Sequence, residues 1–136
     1  TCKQLIQHAV DHAASQATGW TTSRHYAVPT IDVPVHEVPR LAAWFQTWMR
    51  TTMEPLLHRQ FGTHGDDQRY YVHDAFLAKY ERTATSAKST FLPLHFDEST
   101  HSFVLALNDE YECGGTYVHD YNRVVRPQTG GGVSFC

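Results

Sequence analysis

The sequence predicts an α+β fold, with helices in the first half and short strands in the second. Three observations carry that expectation. Apolar residues recur at three- and four-residue steps over residues 3–17 and again over 41–56, which is the period of a helix. From Arg69 onward the chain turns to short runs rich in aromatic and β-branched residues, separated by Gly, Pro and acidic turns. Helices first and many short strands afterwards point to a β-sandwich or jelly roll buttressed by N-terminal helices.

In the first helix, Leu5, Ile6, Ala9, Val10, Ala13 and Ala14 form one stripe, and Gly19 is a suitable stop. His8 and His12 stand at i and i+4, the spacing of helical zinc sites. The acid between them is Asp11 rather than the Glu that zinc hydrolases use as a base, so polar residues on an outer helix face are the better account. Residues 20–37 contain Pro29 and Pro34 and read as extended, with at most one short strand. The strongest helix opens at Pro39, with Leu41, Trp44, Phe45, Trp48, Met49, Thr52 and Leu56 at helical steps. Its aromatic stripe is expected to pack against a sheet. Pro55 should kink this helix or start a new turn, and Gly62 should end it. Residues 63–68 read as a polar loop.

Strands are expected at 70–80, 92–97, 102–107, 116–121, 123–126 and from Val133 onward. Of these, 102–107 is a nearly continuous apolar run, which suits a buried strand. Residues 82–90 read as a loop, 108–112 as an acidic turn and 129–132 as a glycine-rich turn. No internal repeat or long linker divides the chain.

At 136 residues the chain holds one domain with a core, but not two. A net charge of -3 writes no strong attraction to nucleic acid or membrane into the composition. No apolar run approaches the roughly 18 residues of a membrane helix. No signal peptide is read, but the sequence starts at Thr1 rather than Met, which leaves the compartment open. Cys2, Cys113 and Cys136 have no metal-site spacing; free thiols are the default, and a disulfide between two of them stays open.

One stretch concentrates the chemistry. In Leu92-Pro93-Leu94-His95-Phe96-Asp97, apolar and other residues alternate with a period of two. On a strand His95 and Asp97 therefore share one side and the apolar residues the other. An imidazole nitrogen and a carboxylate oxygen so placed are two-thirds of the 2-His-1-carboxylate triad that holds non-haem Fe(II).

The series around this pair resembles the catalytic domain of the prolyl 4-hydroxylase superfamily, Fe(II)- and 2-oxoglutarate-dependent dioxygenases, and within it the procollagen lysyl hydroxylase branch. The resemblance rests on His95-Phe96-Asp97-Glu98-Ser99-Thr100, then Phe103-Val104-Leu105-Ala106-Leu107-Asn108, then Tyr111-Glu112-Cys113-Gly114-Gly115-Thr116-Tyr117, then Val125-Arg126-Pro127 and a glycine turn. Ala78-Lys79-Tyr80-Glu81 is similar to the strand that precedes the metal motif there. The match covers roughly residues 76–135, under half the chain.

The resemblance implies a double-stranded β-helix (jelly roll) core preceded by N-terminal buttressing helices. Residues 1–68 would form the mainly helical part and 69–136 a partial jelly roll. It implies His95 and Asp97 as iron ligands, Tyr80 as a hydrogen-bond donor to a 2-oxoglutarate carboxylate, and Asn108 on the pocket floor. The implied cofactors are Fe(II), 2-oxoglutarate, O2 and ascorbate. The implied reaction hydroxylates a C–H bond of a peptidyl proline or lysine, or of another small substrate, with release of succinate and CO2. Cys113 stands where the family commonly has the first of three glycines. The family's distal His follows a strand of the Val133-Ser134-Phe135 type, with an Arg or Lys on the next strand. The sequence reaches Cys136 before either, so it is expected to be a C-terminally truncated piece. Neither His101 nor His119 matches a family ligand position. The alternative reading is a non-catalytic jelly-roll binding module, a degenerate oxygenase relative.

Overall fold

The computed structural model describes residues 1–21, 30–62, 69–81 and 90–136. The loop expected at 63–68 and nearly all of that expected at 82–90 lie outside them. The architecture is α+β, three helical segments with small antiparallel strand pairs.

Helix α1 (Cys2–Ser15) buries Leu5, Ala9 and Ala13, one residue per turn along a single face. It ends before Gly19, at Gln16, whose backbone is extended. Gly19 instead adopts φ +65° in the turn that follows. Strand β1 (Asp32–Pro34) is wholly buried and pairs antiparallel with β2 (Phe76–Ala78), with Val33 opposite Leu77. Pro34 is tolerated because it closes the strand, beyond which a 3-10 turn (Val35–Glu37) begins. Thr21 bridges the other edge of Asp32 through two backbone hydrogen bonds of 3.0 Å.

Helix α2 (Pro39–Trp48) starts at the proline, passes into a π-turn (Met49–Met53) and continues as α3 (Glu54–Phe61). The cause is Pro55. Its ring excludes a normal α-turn against the carbonyl four residues earlier, and its nitrogen has no proton to donate. Widening the preceding turn accommodates both. Gly62 closes α3 in the left-handed region at φ 65°.

The main core joins Leu5, Ala9 and Ala13 of α1 to Val33, Val38 and Leu41, with Trp20, Val35, Trp44, Leu77 and Leu107 packed against it. No membrane-crossing helix, long and apolar enough, occurs among the described residues.

The C-terminal half differs in kind. Strands β3 (Ser102–Leu105) and β6 (Gly132–Phe135) pair antiparallel, and β4 (Thr116–Val118) pairs with β5 (Arg123–Val125) inside that connection. A 3-10 turn (His119–Tyr121) joins the inner two. Among the described residues, none beyond Leu57 is fully buried. The aromatic stripe of α2 does reach this half. Phe45 lies 6.4 Å and Trp48 5.4 Å from Phe103 of β3, ring centre to ring centre. Gln60 of α3 donates to the Ser134 carbonyl at 3.2 Å and accepts from its hydroxyl at 2.5 Å, which fastens β6.

Several expected strands are shorter than their sequence patterns. The 70–80 run contributes only β2, and Tyr71 is 91% exposed. The 102–107 run is an amphipathic ribbon rather than a buried strand, with Val104 exposed. The 92–97 segment forms no strand at all. Pro93 cannot donate to a ladder, and its carbonyl is taken by the His95 ring. Its apolar side is correspondingly uncovered: Leu94 and Phe96 face solvent.

Candidate functional site

His95 and Asp97 do share one side of the 92–97 segment, although no ladder holds it. His95 Nε2 stands 3.3 Å from Asp97 Oδ1, and both side chains are about two-thirds covered, at 34% and 37% exposure. His95 Nδ1 lies 2.7 Å from the Pro93 carbonyl oxygen. A carbonyl only accepts, so Nδ1 carries the proton. In the neutral ring Nε2 then presents a lone pair toward a carboxylate oxygen. Two electron-rich atoms at that separation need a cation or a second proton between them.

The same arrangement fits metal ligation. Two donors at about 2.1 Å from one ion, at right angles, stand about 3 Å apart. The tautomer is already the one that frees Nε2, and a backbone carbonyl on the opposite ring nitrogen is the usual orienting partner of a ligating histidine. Nothing in the sequence pattern marks the Pro93 carbonyl for this role, since it arises from the irregular backbone rather than from a strand. His73 adds a neighbouring contact, with Nε2 3.8 Å from Glu98 Oε2, so the 69–75 segment touches the loop just beyond Asp97. The position of Glu98 beside the motif was the available signal; the reach of His73 was not visible.

Of the other expected site residues, Tyr80 is half exposed, and partial burial raises its phenol above its ordinary value of 10.0. It is therefore a protonated hydrogen-bond donor at neutral pH. Asn108 is exposed at the end of the segment that follows β3. Neither hydrogen-bonds to His95 or Asp97.

Among the described residues no group of three or more His, Cys, Asp or Glu could hold a metal ion, so the pair has no third donor there. His101 packs instead against the rings of Phe61 (4.6 Å) and Tyr70 (5.3 Å). His119 lies 3.3 Å from Asp120 on an exposed turn. His12 of the helical zinc pattern faces Glu37 at 3.6 Å, which ties α1 to the first 3-10 turn.

The glycine turn beside β4 is required by its geometry. Cys113, Gly114 and Gly115 all have positive φ, at 62°, 67° and 105°. A side chain on Gly115 would meet Val124 Cγ1 and Arg126 Cγ at 2.7 Å and the Val125 carbonyl at 2.8 Å. Arg126 Nε donates to the Gly114 carbonyl at 2.8 Å, which holds the turn against β5. Cys113 takes up the same left-handed backbone as its glycine neighbours while remaining an exposed free thiol.

No protein-family model, curated protein or solved structure matches the chain.

Proposed function

We propose that the chain is the metal-binding part of a 2-oxoglutarate-dependent dioxygenase of the prolyl 4-hydroxylase type, acting on a peptidyl proline or lysine. The observation that carries this reading is the His95–Asp97 pair: two donors at chelating separation, with the imidazole tautomer fixed by Pro93 so that Nε2 is free. The nested strand pairing supports it. A β4–β5 hairpin inside the β3–β6 pair is the order in which a jelly roll winds two ribbons together.

His95 and Asp97 would hold Fe(II) in this reading. Bound iron with 2-oxoglutarate and O2 supplies oxidative decarboxylation coupled to C–H hydroxylation. The rest falls to the protein's own groups. Tyr80, its phenol kept protonated by partial burial, would donate a hydrogen bond to a 2-oxoglutarate carboxylate. Asn108 lines the floor. Ascorbate is the expected reductant that keeps the metal ferrous.

The test is succinate formation from 2-oxoglutarate with Fe(II) and ascorbate under air, together with Fe(II) affinity measured anaerobically. His95→Ala and Asp97→Ala should each weaken metal binding by tenfold or more and abolish turnover. Metal binding without succinate favours the non-catalytic binding module, and metal affinity unchanged by both substitutions removes the site altogether.

A further inference from the structure

The π-turn forms one wall of a cavity of about 330 Å3, at the lower end of the range for small-molecule pockets. Phe45, Gln46, Met49 and Arg50 line it from the helix, and Tyr70 and Val72 face them from the segment before β2. Its polar groups are unevenly committed. Glu54, also in the lining, accepts the Tyr70 backbone N–H at 3.4 Å and lies 4.0 Å from His58 Nε2. Arg50 donates Nε to the Gln46 carbonyl at 3.4 Å, and among the described residues no carboxylate pairs with it. The end of its guanidinium fork and the Gln46 side-chain amide, one turn away, are therefore both open donors above an apolar floor. Tyr70 is a rigid wall, its ring placed against His58 and His101 at 5.0 and 5.3 Å. Its buried hydroxyl has no hydrogen-bond partner among the described residues.

We infer that this cavity binds a carboxylate carried on an apolar or aromatic stem, with the acid on Arg50 and Gln46 and the stem against Phe45, Met49 and Val72. A planar guanidinium with its two terminal nitrogens free matches a carboxylate in bidentate fashion, which a lone ammonium does not. Helical spacing is what groups these residues: Phe45 with Met49 and Gln46 with Arg50 stand at i and i+4, side by side along one face of the cavity wall. The inference does not depend on the oxygenase reading.

Two sources offer this chemistry, a free aromatic acid or the C-terminus of a peptide, and one titration separates them. The probes are 3-phenylpropionate and a pentapeptide ending in phenylalanine, each beside its amidated form, followed by the backbone amide resonances of residues 45–50 and 70–72. At least one free acid should bind, its amide at least tenfold more weakly. A response to the small acid alone identifies a small-molecule site, and a tighter response to the peptide identifies a chain terminus. Arg50→Gln should weaken binding tenfold or more, with Arg50→Lys intermediate and Gln46→Ala weaker by a few-fold. Arg50 and Gln46 are both exposed, so these variants should keep the parent's thermal midpoint. The inference is overturned if neither acid binds up to millimolar concentration, if acids and amides bind alike, or if Arg50→Gln binds as the parent does.

Discussion

At the residue scale, Asp109 shows how a single exposed carboxylate ties together two loops of the C-terminal half. Its Oδ2 accepts the Thr129 backbone N–H at 3.1 Å, across the span that carries the β4–β5 hairpin. That hydrogen bond, reinforced by the Thr129 side chain, holds the carboxyl below its ordinary value near 3.8. A depressed folded value favours the ionised form in the native state, so the contribution is fully present above the ordinary value. It declines below that value and is lost as pH falls through the lowered native one. The Thr129 amide resonance should therefore titrate below pH 3.8, and Asp109→Asn should remove that titration while leaving the fold intact at neutral pH. A Thr129 transition centred at or above the ordinary aspartate value would sink the assignment. The neighbouring acids were legible in the sequence only as an acidic turn. Which of them reaches Thr129 depends on the glycine turn at Gly130 and Gly131, whose backbone bonds to Ala106 bring the two loops together.

At the element scale, the helical period located the helices but not the buried face of the second one. The sequence stripe from Leu41 ran on through Thr52 and Leu56. In the fold both are exposed, and Met53 and Leu57 are buried in their place. The π-turn inserts one residue, so every position after Met49 is displaced by about one step around the axis. Pro55 was the visible signal, but a proline marks a disturbance without saying whether the helix kinks, stops or widens. The strand at 92–97 failed for a different reason. Its alternation was real and does leave His95 beside Asp97, but a strand also needs a partner, and period alone supplies none. The buried register predicts that Met53→Ala costs about 2–4 kcal/mol, whereas Thr52→Ala stays within about 0.5 kcal/mol. Urea midpoints at constant m-value check both. Equal costs would mean that the uninterrupted α-helical register holds in solution.

At the scale of the whole molecule, burial divides the chain unevenly. The tight core lies with α1, β1 and α2, while the two-stranded ribbons that follow the irregular segment of the candidate metal pair are only half covered. Isolated two-stranded pairs are marginal in water, so their order must come from what they dock on. Beside the packing of His101 on Phe61 and of Leu107 on the core, two attachments hold β3 and β6 themselves: Phe103 against Phe45 and Trp48, and Ser134 against Gln60. The first was foreseeable, because an aromatic stripe on a helix asks for a sheet to cover. The second was not, because it joins side chains 74 positions apart with no pattern linking them. Removing the ring at Phe103 should therefore release the ribbons before it disturbs the core. In Phe103→Ala, amide exchange at β3 and β6 should accelerate strongly, while the amides of α1 around Leu5, Ala9 and Ala13 keep their protection. Adding Ser134→Ala should deepen the loss at β6 without reaching α1. If α1 loses protection in step with β3, helices and ribbons form one cooperative unit, and the metal pair rests on the full stability of the chain. If it does not, His95 and Asp97 sit on a locally labile platform. A ligand that holds them together would then order the 92–97 segment by mass action, and recovered protection at β3 on adding Fe(II) would show that this segment and the ribbon are coupled.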